Sequence, residues 1–169
     1  MDRRKTIDVI ARNGIIAGLY AALTLICYPF SYGLVQFRIS EFLVLLCFFR
    51  KDYTIGLTLG CAIANIFSPE IGLWDILIGT GATLLACIGI CFCKHLLFAA
   101  LMPIVANAFI VGAELAFIAN LENFWVCAGF VAIGETVAMA FGYILFMFLS
   151  KRDSFFNVIK ANQNIEFKF

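Results

Sequence analysis

Apolar runs of membrane-crossing length, joined by short segments that hold the basic residues, leave this chain little room to fold in water. A helix that spans hydrocarbon needs about 20 apolar residues. Six such runs fit into 169 residues, and little remains for a soluble domain. The composition agrees: 63% of the residues are hydrophobic and only 14% are charged, whereas soluble chains are roughly 45–50% apolar. The expected fold is an all-α integral membrane protein, one membrane domain over 1–169. Its expected parts are a short cytoplasmic segment 1–11, six transmembrane helices near 13–30, 36–49, 54–67, 74–93, 96–119 and 124–149, and a polar cytoplasmic tail 150–169. Arg3, Arg4 and Lys5 before an apolar run resemble a signal peptide. No small-residue cleavage site follows, so the run reads as an uncleaved first helix.

Basic residues orient the bundle, because cytoplasmic loops carry the excess of Lys and Arg. Arg3, Arg4, Lys5, Arg12, Arg50, Lys51, Lys94, Lys151, Arg152, Lys160 and Lys168 all fall on one side of the expected spans, and Arg38 alone falls on the other. Both termini are therefore expected in the cytoplasm.

That orientation assigns depths to the polar residues inside the apolar runs. Gln36, Arg38 and Glu41 open the second run on the outer side. Asn65 closes the third, and Asp75 opens the fourth. Glu114 lies in the outer third of the fifth run, with Asn107 seven residues before it on the same helical face. Glu135 lies near the middle of the sixth. Charges in hydrocarbon are costly and mark substrate paths. The expected site is a polar pocket open to the outside and closed from below. Two readings compete locally: Arg38 pairs with Glu41 three residues on as a helix-end clamp, and Asp75 caps the fourth helix. Glu114 and Glu135 have no cation nearby in sequence. Several acids facing one guest favour a cation, or a heterocycle rich in N–H donors.

Rows of small residues let helices approach closely where lipid supplies no hydrophobic drive. Ala17 and Ala21 form one row on the first helix, and Gly14, Gly18 and Ala22 form another beside it. Gly56, Gly60 and Ala64 line the third helix, and Gly134, Ala138 and Gly142 the sixth. Two such faces on one helix leave one for another membrane protein.

Seven cysteines form an odd set of mostly buried thiols. Cys91, Cys93 and His95 lack the second ligand pair that a metal site requires, so no metal or cofactor is expected. No phosphate-binding loop, H-E-x-x-H or G-x-S-x-G motif occurs, and no basic patch interleaved with aromatics suits nucleic acid. The chain reads as a non-enzymatic capture subunit that borrows its energy. A stand-alone secondary carrier and a small membrane enzyme are the rivals, and they would need inverted repeats or a catalytic constellation.

The block Tyr32-Gly33-Leu34-Val35-Gln36-Phe37-Arg38-Ile39-Ser40-Glu41 resembles the signature of QueT-type proteins, substrate-capture (S) components of energy-coupling-factor transporters for queuosine precursors. Similarity continues through Leu59–Asn65, Ser68-Pro69, Asp75, Gly79-Thr80, the stretch 82–86, Pro103, Asn107, Gly112, Glu114 and Gly134-Glu135, over roughly residues 10 to 150. Cys47 departs from it, where proline is more usual. The resemblance implies a bacterial plasma-membrane protein of six helices, with substrate near the outer face and the loops after helices one and three as lids. It implies a 7-deazaguanine cargo (preQ1, preQ0 or queuine), or another vitamin if the specificity differs. A carboxylate accepts the paired N–H donors of a guanine edge: Glu114 or Glu135 would do so, with Glu41 and Asp75 in the acid set. Gln36, Asn65 and Asn107 would be amide partners, and Arg38 would hold a lid or a carbonyl. Ala17 and Ala21 would pack on the coupling helices of a transmembrane T component, driven by two cytoplasmic ATPases.

Overall fold

The computed structural model describes residues 3–31, 37–68 and 72–161. Helix α1 covers Arg3–Ile26. It begins about ten residues before the expected start, because the basic segment joins it. Asp8 and Arg12 form an i,i+4 ion pair at 2.9 Å, which supports the first turns. The helix stops before Pro29, which sits in the first turn of the short α2, Tyr28–Ser31, where its missing N–H costs nothing.

The second expected span differs most. Ile39–Leu45 is a 3₁₀ helix that runs into a single α-turn, α3, Leu46–Phe49. Helix α4, Tyr53–Asn65, has 13 residues and reaches about 20 Å at 1.5 Å per residue, short of the roughly 30 Å hydrocarbon core. Four helices among the described residues are long and apolar enough to cross a membrane: Thr6–Ile26 within α1, α5 (Leu73–Ile90), α6 (Leu96–Phe117) and α7 (Phe124–Leu149). Asn123 caps α7, its side chain accepting from the Val126 amide at 3.1 Å. Within the expected tail, Asp153–Ile159 forms α8. It folds back so that Phe155 and Phe156 pack on Phe49. Tyr53 Oη donates to the Ile159 carbonyl at 2.8 Å, and Arg50 Nη1 to that of Lys160 at 2.7 Å.

The long helices pack in neighbouring pairs, α6 on α7, α5 on α6, α4 on α5 and α1 on α4. The 3₁₀ segment threads between them and touches α1, α4, α5, α6 and α7. Glycines admit these approaches. A Cβ on Gly60 would lie 2.8 Å from the Ala17 carbonyl oxygen and from Tyr20 Cβ, and one on Gly142 would lie 2.8 Å from Phe42 Cβ. Polarity is inverted relative to a soluble protein. Ile15, Leu77, Trp125 and Phe148 are largely exposed, while Arg38, Glu41, Asp75, Glu114 and Glu135 are buried. Exposed apolar surface on this scale belongs in lipid, so this is a multi-pass membrane protein.

Candidate functional site

The 3₁₀ segment carries Glu41 into the centre of the bundle, and the helices around it supply the remaining acids. Asp75 comes from the first turn of α5, Glu114 from the last two turns of α6, and Glu135 from the middle of α7. Glu41 is 1% exposed and Glu114 2%. Arg38, just before the 3₁₀ segment, is within electrostatic reach of all four carboxyls. Glu114 lies within the same reach of Asp75, and Glu135 of Glu41. The expected residues thus converge, with the exception of Gln36, which lies outside the described residues.

Each group is oriented by named partners. Arg38 Nε donates to the Ser31 carbonyl at 3.2 Å, tying the segment to the end of α2. Asn65 Nδ2 donates to the Asp75 carbonyl at 2.9 Å. Gly79 permits this, since a Cβ there would lie 2.9 Å from that nitrogen. Asp75 is not the cap of α5; Gly72 holds that position, and Ser68 Oγ donates to Asp75 Oδ2. Asn107 Nδ2 donates to Glu135 Oε1 at 2.7 Å across the α6–α7 contact. Tyr20 Oη donates to Glu41 Oε1. Thr83 Oγ1 stands 3.4 Å from the same oxygen and 3.2 Å from Cys61 Sγ.

What these partners leave open defines the chemistry. Among the described residues, Glu41 Oε2, Asp75 Oδ1, Glu135 Oε2, Asn65 Oδ1 and both oxygens of Glu114 are buried without a hydrogen-bond partner. Buried acceptors left unmade are costly, and buried polar groups in folded proteins are normally satisfied. Acceptors on four helices and the central segment, beside one guanidinium, suit a guest rich in N–H donors or carrying a positive charge.

Sequence reasoning missed Tyr20, Thr83, Cys61 and Ser68. The signal for Tyr20 was its spacing: Asn13, Tyr20 and Thr24 fall on one face of α1, and all three are buried. Ala17 and Ala21, expected to pack on a T component, line the inward side of α1. Both are only 6% exposed, and Ala17 meets Gly60 of α4. The neighbouring row, Gly14 and Gly18, has open space around it, and Ala22 is exposed with it. Cys91, Cys93 and His95 belong to no group able to hold a metal among the described residues.

No solved structure matches the chain. The chain is 31% identical over 170 residues to the queuosine precursor transporter QueT of Lactococcus lactis subsp. cremoris (strain MG1363), an alignment covering 90% of this chain and 97% of that protein. A family model described as QueT transporter matches residues 10–151. The chain belongs to the QueT transporter family.

Proposed function

We propose that this protein is the substrate-capture component of an ATP-driven importer for a queuosine precursor. The cargo is a 7-deazaguanine, held among Arg38, Glu41, Asn65, Asp75, Asn107, Glu114 and Glu135, with Gln36 as a further amide partner. The observation that carries this reading is the set of unpartnered buried acceptors gathered around a single guanidinium. A guanine-like edge presents adjacent N–H donors that one carboxylate accepts as a pair. An aminomethyl substituent would add a cation and offset the excess of acids, whose burial without compensation is costly. The similar Lactococcus lactis protein, a queuosine precursor transporter, supports the same class.

In this proposal both termini are cytoplasmic and the site opens to the outside of a bacterial plasma membrane; the placement of the basic residues supports this. The chain carries no ATPase motif. A transmembrane T component and two cytoplasmic ATPases supply the energy, and α1 docks on the T component through Gly14, Gly18 and Ala22.

Calorimetry with the purified chain tests the reading. 7-Deazaguanines are expected to bind, and thiamine, biotin and riboflavin are not. Binding of one of those vitamins with no response to deazaguanines would overturn the substrate assignment.

A further inference from the structure

Glu41 differs from the other acids in how its two oxygens are treated. Oε1 accepts from Tyr20 Oη and has Thr83 Oγ1 at 3.4 Å. Oε2 is buried and has no partner among the described residues. The two donors come from different helices that touch the 3₁₀ segment, Tyr20 from α1 and Thr83 from α5. They are not equivalent. The single Thr83 proton is shared between Glu41 and the Gly79 carbonyl at 3.2 Å, and the Cys61 thiol, itself able to donate, lies 3.2 Å from the same hydroxyl. The Tyr20 hydroxyl donates to Glu41, with the Cys61 thiol also beside it, and its ring is fully buried. Gly60 makes room for it, because a Cβ there would lie 2.8 Å from Tyr20 Cβ. The tyrosine is therefore wedged by a glycine on α4 and aimed at one oxygen of one carboxylate.

We infer that Tyr20 is a positioning residue that sets ligand specificity: by occupying Oε1 of Glu41 it offers Oε2 as a fixed acceptor for one N–H of the bound base. This rests on the reading of the polar cluster as a 7-deazaguanine site. A carboxylate free to rotate exchanges its oxygens and adapts to a donor at either place. One held by a phenol presents an acceptor at one place only. A ligand that lacks the matching N–H leaves a buried acceptor unmade, and discrimination of that kind is strong.

The test is a double-mutant cycle on the full chain in detergent, with Tyr20→Phe, Glu41→Gln and the double variant. The probes are 7-aminomethyl-7-deazaguanine and its analogue without the 2-amino group. Dissociation constants come from calorimetry, and folding is followed separately by the unfolding midpoint of the ligand-free protein. With Tyr20 holding the side-chain oxygen, Glu41→Gln turns its amide nitrogen toward the ligand and replaces an acceptor with a donor. A loss of 100-fold or more is expected on the wild-type background. Tyr20→Phe alone is expected to weaken the amino-bearing base about tenfold and to narrow the preference over the analogue. In the double variant the amide is free to turn, and the second substitution is expected to cost under tenfold.

Additive losses, or an unchanged preference in Tyr20→Phe, would show that the tyrosine merely staples α1 to the 3₁₀ segment and would overturn the inference. Should Tyr20→Phe not fold, Glu41→Gln decides with the two probes: it is expected to narrow the preference for the 2-amino base, and an unchanged preference would overturn the inference. Loss below threefold for Glu41→Gln on both backgrounds removes Glu41 from the ligand and sinks the inference. Wild-type protein that binds no deazaguanine overturns the functional reading itself, and the inference with it.

Discussion

At the scale of single residues, the acids of the cluster are distinguished by how many of their oxygens the protein already occupies. Glu114 is the extreme case: it is 2% exposed, and neither oxygen has a partner among the described residues. If a ligand N–H completes it, Glu114→Ala is expected to weaken binding by about 1.5–3 kcal/mol, the scale of a hydrogen bond to a charged group. Calorimetry reads this directly, and unchanged affinity would place Glu114 outside the site. Asn107 makes the contrasting prediction. Its amide donates to Glu135, at 2.7 Å across two helices. Asn107→Leu leaves a buried carboxyl bare, and a stability loss of about 1–3 kcal/mol is expected before any ligand is added. The unfolding midpoint of ligand-free protein measures it. These acids were legible in the sequence because ionisable residues inside apolar runs are rare and conspicuous. Tyr20 and Thr83 were not. A hydroxyl on an otherwise apolar helix is common, and only the fold shows that both hydroxyls face the same carboxylate.

At the scale of elements, length and local chemistry were legible unequally. Helices α5, α6 and α7 follow continuous apolar runs, so the sequence located them to within a few residues. The run after residue 36 read as a short spanning helix. It is instead a 3₁₀ segment and one α-turn at the centre of the bundle. Hydropathy cannot separate these outcomes, since a segment surrounded by protein and one surrounded by lipid are both apolar. Burial on all sides is why Ser40 and Glu41 are tolerated there: the neighbouring helices, not lipid, meet them. The small-residue rows were legible as close-packing faces but not as particular contacts. Gly60 sits against the Ala17 backbone and Tyr20, whereas Gly81 has open space. Gly60→Ala is therefore expected to destabilise by about 1–3 kcal/mol through overpacking against backbone. Gly81→Ala, on the same logic, is expected to stabilise by about 0.5–1 kcal/mol, the helix-interior difference between the two residues. A pair of unfolding curves compares them, and equal effects would remove the α1–α4 contact as a fold determinant.

At the scale of the whole molecule, the inverted polarity assigns different tasks to the inner and outer surfaces of the bundle. Acids and amides are buried inside, and most of them are held by neighbouring elements, while α5, α6 and α7 present bulky apolar side chains outward. Helix α1 is the exception, because its outward face carries Gly14, Gly18 and Ala22 among larger residues. Its inward face is occupied: Asn13 Oδ1 accepts from the Gly56 amide at 2.8 Å, and Ala17 meets Gly60. The sequence showed both small-residue rows but not which was taken, because a spacing of four marks a face without saying what lies against it. Under the proposed mechanism the two faces separate by mutation. Ala17→Leu drives a side chain into α4, so folding and ligand binding are expected to fall together. Gly18→Leu adds bulk where nothing in the chain stands within 4 Å. Stability and the affinity for a deazaguanine are expected to stay within about twofold, since a surface change far from special features is worth under about 0.5 kcal/mol. Uptake by cells that also express the T component and both ATPases is expected to be lost, because a small-residue seam closes only if both backbones approach. Calorimetry on purified variants and radiolabelled uptake in cells give the two readouts. Normal uptake by a stably folded Gly18→Leu protein would move the docking surface off this face of α1.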